Sequence, residues 1–333
     1  MIFACRTCVH YTISMTVPSF PDFTPITIGL KNEILPVLSL ASCGISEFTF
    51  SGLYLFRKRY GYTVSRLEDK TIIISGIQPP RAPEEEAGEP LLSKKFFMTP
   101  CAAPEKAIME ELFKTHDYWK NIPESIIRAK KDLLEEMNIE ITEDRDNFDY
   151  LYLRTDLAEL PGKKYHKKRN LVAQFLRSYT HEERTLTAEL IPQAMRVLED
   201  WRANKGDDGD YIACREALEL FNELDMKGLL FYADGRPVGW CLGEPIAGNS
   251  IFIVHFEKGL DGYKGIYQYI NRTFAASLPE NFTHINREQD LGEEGMRQAK
   301  MTYRPSGFVR KYIGFYKRLA QMTNMGKLQT SAF

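Results

Sequence analysis

The sequence predicts an α+β fold built twice in tandem, with mixed central sheets flanked by helices. Three observations carry this expectation. The chain of 333 residues is about twice the length of an ordinary domain. Its second half runs through helices, a three-strand meander and then helix–strand–helix–strand. Its first half follows a looser version of the same order, without visible identity between the two. Composition is compatible with this: 44% hydrophobic and 26% charged residues can form a sizeable core without disulfides or a structural metal. The 43 basic and 45 acidic residues give a net charge of −2. That excludes a globally basic or globally acidic chain and leaves local patches open. No run of about 18 apolar residues occurs, so no membrane-spanning helix is expected.

The elements follow in order. Residues 1–16 form an N-terminal extension too poor in apolar residues for a signal peptide. Cys5, Cys8 and His10 there make half a zinc site with no second pair, and the other four cysteines are scattered, so no metal is expected. The first unit, 17–147, begins with helical spacing from Thr27 to Leu40 and from Phe48 to Tyr60. Strand-like runs follow at Tyr62 to Leu67, Thr71 to Ile77 and Lys95 to Thr99, the last two separated by a proline-rich acidic loop. Prolines mark helix starts near 104 and 123, giving helices to His116 and Met137. Ile139 to Thr142 is a further strand, and Phe148 to Leu153 opens the second unit, 148–320.

That unit shows helices at about 166–179, 191–204 and 214–224. Next come strands at 228–233 and 237–244, joined through Asp234-Gly235, which signals a hairpin. A strand at 250–256, an amphipathic helix at 262–278, a short strand at 283–286, a helix at 292–302 and one last strand at 308–316 complete it. Residues 321–333 are expected to be a flexible tail. This order is that of an acyltransferase fold of the GCN5-related N-acetyltransferase type.

Three segments can carry chemistry. Five of the seven residues from Lys163 to Arg169 are basic: Lys163, Lys164, Lys167, Lys168 and Arg169, with Tyr165 and His166 between them. Cations at a helix N-terminus oppose its dipole, so helix stability does not explain them, whereas a bound polyanion such as RNA or a phospholipid headgroup does. The second segment is Asn286-Arg287-Glu288-Gln289-Asp290, beyond the carboxyl end of a strand, where ligands bind in open α/β sheets. Asn286, Gln289, Asp290 and Arg297 are candidate substrate-binding residues there, and Asp290 also suits a helix cap. The third is His255 with Glu257, on one face of a strand by alternation. Such a pair can relay a proton from an attacking amine or hydroxyl, or simply hydrogen-bond. The stretch Lys258 to Gly265 does not match the Arg/Gln-x-x-Gly-x-Gly/Ala loop that cradles the diphosphate of acetyl-CoA.

Residues 150–170 and 286–300, with Glu47 to Arg57 as a weaker signature, resemble the phosphatidylglycerol lysyltransferase C-terminal domain family over roughly 20–318. The resemblance implies a tandem acyltransferase fold and an aminoacyl transferase that takes its amino acid from aminoacyl-tRNA. Aminoacyl-tRNA would be a co-substrate, with no bound cofactor. The basic stretch would then meet charged tRNA or lipid phosphate, and Arg287, Asp290 and Arg297 would line the aminoacyl pocket. Arg287 or Lys300 would stabilise the oxyanion, with His255 or Glu257 relaying the proton. The lipid-modifying relatives carry a membrane-embedded region for which this sequence has no apolar run, so the acceptor stays open among lipid, peptide and small molecule. The alternatives are an acyl-CoA-dependent N-acyltransferase and a non-catalytic RNA- or lipid-binding protein. A cytoplasmic protein is expected, peripheral to a membrane if the polyanion is a headgroup.

Overall fold

The computed structural model describes residues 16–79, 93–205 and 209–317. The cysteine-bearing extension up to residue 15, the acidic loop at 84–89 and the tail at 321–333 lie outside the described residues. In chain order the strands are β1 (Thr24–Pro25), β2 (Thr63–Arg66), β3 (Ile72–Gln78), β4 (Lys94–Met98), β5 (Tyr118–Pro123), β6 (Ile139–Glu143) and β7 (Asp149–Leu153). They continue as β8 (His181–Thr185), β9 (Lys227–Ala233), β10 (Arg236–Ile246), β11 (Ile251–Gly259), β12 (His284–Asn286), β13 (Gly307–Val309) and β14 (Lys311–Tyr316).

These strands form two seven-stranded sheets that repeat one plan. In each, a four-strand antiparallel meander is followed by a fifth strand parallel to the fourth: β1–β4 with β5, and β8–β11 with β12. The meander is one strand longer than the sequence suggests. β8, His-Glu-Glu-Arg-Thr, is exposed along its whole length, so it has no apolar alternation to detect. β5 was missed for the opposite reason. It is buried throughout, Lys120 and Asn121 included, so it lacks a polar face. The helix expected to Met137 is two short ones, Glu124–Ala129 and Lys131–Glu136, broken at Lys130 where φ is −120°.

The chain crosses between the sheets twice. It leaves the first after β6 and enters the second at β7, then returns at Arg310. The single final strand expected over 308–316 is therefore two: β13 pairs with β7 in the second sheet, and β14 lies between β5 and β6 in the first.

Both crossings meet at one buried charge cluster. Lys311, fully buried at the start of β14, donates to Asp149 at the start of β7 (2.7 Å) and to Glu47. The Ser46 backbone N–H and hydroxyl also donate to Asp149, at 2.8 and 2.9 Å. Burial alone would strip the Lys311 proton, but the two carboxylates hold its pKa above the ordinary lysine range. An apolar cluster shared by both halves lies alongside. The helices Ile191–Lys205 and Tyr211–Glu219 of the second half share it with Phe50–Tyr60 of the first, where Arg57 chelates Glu216 (2.9 and 2.6 Å).

Replacing Lys311 by Met should leave two carboxylates buried without their cation and cost about 3–5 kcal/mol. Urea unfolding monitored by tryptophan fluorescence would show it. A loss under about 1 kcal/mol would mean that the cluster does not hold the crossings together.

Candidate active site

β11 and β12 pair over only three residues, Ile251↔His284 to Ile253↔Asn286, and then part. The residues just beyond, Val254 to Lys258 on one side and Arg287 to Gln289 on the other, line a cavity of about 450 Å³. Its opposite wall comes from the first half, through Ser46, Glu47, Phe56, Arg59, Tyr60, Tyr62 and Lys120. A β-bulge aims the wall. The register with β10 steps from Leu242↔Phe256 to Gly243↔Val254, so His255 is the extra residue. Only glycine fits at 243, since a Cβ there would stand 1.8 Å from the Ile253 carbonyl oxygen. The simple alternation that would put His255 and Glu257 side by side is thus broken between them.

The two residues have separate partners. His255 Nε2 lies 2.9 Å from Glu244 Oε1, and Nδ1 lies 2.7 Å from Glu288 Oε1. Burial by itself would lower the His255 pKa, but the two carboxylates outweigh it and raise the value to about 10. His255 is therefore an imidazolium with both N–H groups committed, and it has no lone pair with which to accept a proton. Glu257 Oε2 instead accepts from Arg287 Nη2 at 2.9 Å, and both side chains reach the cavity. The Arg287 guanidinium also lies 5.6 Å from the centre of the Tyr303 ring.

Lys300 lines the cavity but has its ammonium turned onto the main chain, donating to the carbonyls of Arg287, Glu288 and Gln289. Burial pulls its pKa down to about 8. Gln289 faces the cavity, its Oε1 3.3 Å from the Ser46 hydroxyl oxygen, whose proton goes to the nearer Asp149.

Asn286, Asp290 and Arg297 sit behind this wall. Asn286 is buried, donating to Asp149 and to the Gly44 carbonyl while accepting the Glu288 N–H. Asp290 is fully buried. Arg297 holds both its oxygens (2.9 and 2.8 Å), with Tyr150 at 2.5 Å and the Gly292 N–H at 2.9 Å. Burial would raise its pKa; these donors keep it well below the ordinary carboxylate range.

The basic stretch divides. Lys163, His166 and Lys167 are exposed. Lys164 pairs with Asp156 (2.8 Å), and Arg169 caps the Leu160 and Gly162 carbonyls. Lys168 packs 3.9 Å over the Tyr303 ring, whose ring Arg287 also approaches. Sequence reasoning missed Glu244, the Lys258–Asp210 pair (2.7 and 2.8 Å) and the aromatic wall of Tyr60 and Tyr62. No spacing rule links these residues, because they meet only through sheet register and the packing of the halves. Among the described residues no group of three or more His, Cys, Asp or Glu is arranged to hold a metal ion. Among them, too, no helix is long and apolar enough to cross a membrane.

With this geometry in place, the chain can be compared with known proteins. The family model described as Phosphatidylglycerol lysyltransferase, C-terminal, matches residues 40–315. A crystal structure of a conserved protein of unknown function from Bacteroides thetaiotaomicron VPI-5482 is 28% identical. The match covers 89% of this chain and 99% of that one, with a TM-score of 0.75. Two more distant structures show the fold alone. One is the C-terminal domain of a protein described as a lysylphosphatidylglycerol synthetase from Agrobacterium fabrum, at 11% identity, coverage of 90% and 96%, and a TM-score of 0.54. The other is FemX, at 8% identity, coverage of 91% and 99%, and a TM-score of 0.51. An uncharacterized protein of Mycoplasmoides gallisepticum strain R(low) is 23% identical over 171 residues, 49% of this chain. The match spans 54% of that relative's length. The fold is a tandem duplication of the GCN5-related N-acetyltransferase type, as the order of elements predicts.

The His255 bridge has a pH signature. Its folded pKa, about 10, lies above the ordinary value of 6.5. Its stabilisation is therefore complete below about pH 6.5 and lost as pH rises through about 10. Unfolding free energy measured in urea from pH 6 to 10.5 should fall over this window, and H255Q should flatten that fall. A wild-type curve as flat as the variant's would mean that the imidazole is neutral.

Proposed function

This chain belongs to the phosphatidylglycerol lysyltransferase C-terminal family, a family of acyl- and aminoacyltransferases, and we propose that it moves an amino acid from aminoacyl-tRNA to a hydroxyl or amine acceptor. The observation that carries this reading is the Glu257–Arg287 pair at the point where β11 and β12 part, facing the cavity between the halves. An aminoacyl ester is already activated, so a transferase needs chiefly to position the nucleophile, take its proton and meet the oxyanion.

Each requirement has a residue. Glu257 has one oxygen on Arg287, and its other oxygen can take the proton of the attacking N–H or O–H. Arg287 uses one Nη for Glu257 and has further donors for the carbonyl oxygen as it gains charge. The new bond to the acyl carbon forms, the bond to the ribose oxygen breaks, and the proton held on Glu257 passes to that leaving oxygen. His255 keeps its proton throughout, and Lys300 keeps its carbonyls. Their contribution is to the shape and field of the wall.

Charged tRNA is favoured over acyl-CoA by the loop after β11. A Cβ at Gly265 would stand 2.3 Å from the Leu171 carbonyl oxygen, the Tyr263 and Tyr179 rings are 5.2 Å apart, and the Tyr267 hydroxyl caps the Gly259 carbonyl. The helix His166–Ser178 thus packs on the end of the loop, at Gly265, where a CoA diphosphate would ride. The exposed cations of that helix start, Lys163 and Lys167 with His166, suit tRNA phosphates. A phospholipid headgroup at a membrane surface is the second polyanion they would fit.

Transfer of a labelled amino acid from charged tRNA into lipid, peptide and small-molecule fractions of a cell extract tests the reading. E257Q should lower the rate about 10²- to 10⁴-fold and R287A about 10²- to 10³-fold, with both variants still folded. Full activity in E257Q would remove Glu257 as the base. Binding to charged tRNA should weaken with salt, and K163A/K167A should make that dependence shallower by roughly one to two units of log–log slope. Turnover with acyl-CoA but not with charged tRNA would turn the assignment to the N-acyltransferase. Binding of tRNA or lipid with no turnover at all would turn it to a non-catalytic protein.

A further inference from the structure

We propose that Lys300 is a positioning residue for this site: its ammonium fixes the 287–289 turn and thereby sets the arrangement in which Glu288 and Gln289 face the cavity. The purpose of the device rests on the transfer reading above, whereas its existence rests on geometry alone. Lys300 Nζ lies 2.6 Å from the Arg287 carbonyl oxygen, 3.1 Å from that of Glu288 and 2.6 Å from that of Gln289. An ammonium has three N–H donors, so all three are committed and none is left for a substrate oxyanion.

The three carbonyls belong to consecutive residues and converge on one point, where their oxygens would repel one another without a cation between them. Glu288 is held there with φ +55°, a left-handed conformation that an L side chain rarely adopts and that the surroundings must enforce. The N–H of Glu288 is fixed by Asn286 Oδ1 (2.7 Å), and β7 holds the same turn through the Tyr150 N–H on the Glu288 carbonyl (3.2 Å) and the Arg287 N–H on the Tyr150 carbonyl (3.0 Å). Held between them, Glu288 reaches His255 (2.7 Å) and Gln289 reaches the Ser46 hydroxyl (3.3 Å).

The helix that supplies Lys300 gives a second, independent argument. Glu294–Met301 buries no residue. It adds no buried side chain to the core, yet two of its side chains are tethered inward, Arg297 to Asp290 and Lys300 to the turn. The helix meets the core through the Tyr152 hydroxyl, which donates to the Lys300 carbonyl (2.9 Å), and its side-chain tethers inward are these two.

The His255 ring reports on the clamp, because the ionisable groups bonded to it are Glu244 from β10 and Glu288 from the turn. The experiment is a pH titration of the His255 Hε1 resonance by NMR on the full chain, with H255Q for assignment and E288Q for the loss of one carboxylate. K300M should move the midpoint down by at least one unit, toward that of E288Q, and K300R should restore much of it. An unchanged midpoint in folded K300M overturns the proposal. The wild-type protein with ¹⁵N-lysine supplies a measurement that needs no variant to fold. Besides the resonances of the buried Lys120, Lys258 and Lys311, it should show one further slowly exchanging ammonium resonance at neutral pH, and the absence of that further resonance overturns the proposal as well. Neither readout uses charged tRNA, so a failure of the transfer reading leaves this result standing.

Discussion

Lys311, Asp149 and Glu47 tie four parts of the chain together: the turn before the helix Phe50–Tyr60, the starts of β7 and β14, and through Asn286 the end of β12. Two fully buried charges, Lys311 and Asp149, beside the partly buried Glu47 would be costly if left unmatched. Here the lysine meets both carboxylates, and Asp149 accepts from Ser46 and Asn286 besides, so both fully buried charges are matched. The same groups then face outward as part of the site. Ser46 and Glu47 line the cavity, and Asn286 fixes the N–H of Glu288 itself. Because the chain crosses between sheets at this cluster, the halves cannot separate without exposing it, and a cavity walled by both halves keeps its width.

The cavity itself follows from a limit on parallel pairing. β4 and β5 match at only two positions, and β11 and β12 at three, so in each sheet the fifth strand soon leaves the fourth. In the second sheet the bulge at His255 in the β10–β11 pairing coincides with this parting, and consecutive residues from Val254 to Lys258 line the gap. The result is a short run of polar residues at two diverging strand ends, supplied on one side by β11 and on the other by the tethered turn that follows β12.

The order of helices and strands was legible because it is written in local periodicity: the helix with Ile266, Ile270 and Phe274, the hairpin at Asp234-Gly235 and the apolar runs of β9 to β11 all lie where they read. What escaped was set by contacts distant in sequence. β8 is all polar, β5 is all buried, and the split of 308–316 between two sheets depends on Lys311 finding Asp149, 162 residues away. The cavity-wall segment 286–290 was visible because polar residues crowd a strand end. The division of labour within it was not, since nothing local says that Asp290 and Arg297 lock the wall from behind while Arg287 reaches the front. Nor does period-two alternation reveal a bulge, so His255 and Glu257 seemed partners when each has its own.

The carboxylates of the wall show how such a site can stay both stable and reactive. Glu47 is matched by Lys311, Asp210 by Lys258, Glu257 by Arg287 and Glu288 by His255. Three of these pairs are anchored by a cation at least nine-tenths buried: Lys311, Lys258 and His255. Breaking them would strand a charge in low dielectric. Glu257 and Arg287 differ, since both retain some exposure and both face the cavity. On the proposed transfer, a substrate beside them would meet the second Glu257 oxygen as proton acceptor and the remaining Arg287 donors as anion partner, with the ion pair itself kept. Little reorganisation is needed, because the cost of assembling those charges was met when the chain folded. The rigid pairs around them supply the fixed field. The Glu257–Arg287 pair, partly exposed where the two strands part, is therefore the one of the four to which the proposed chemistry is assigned.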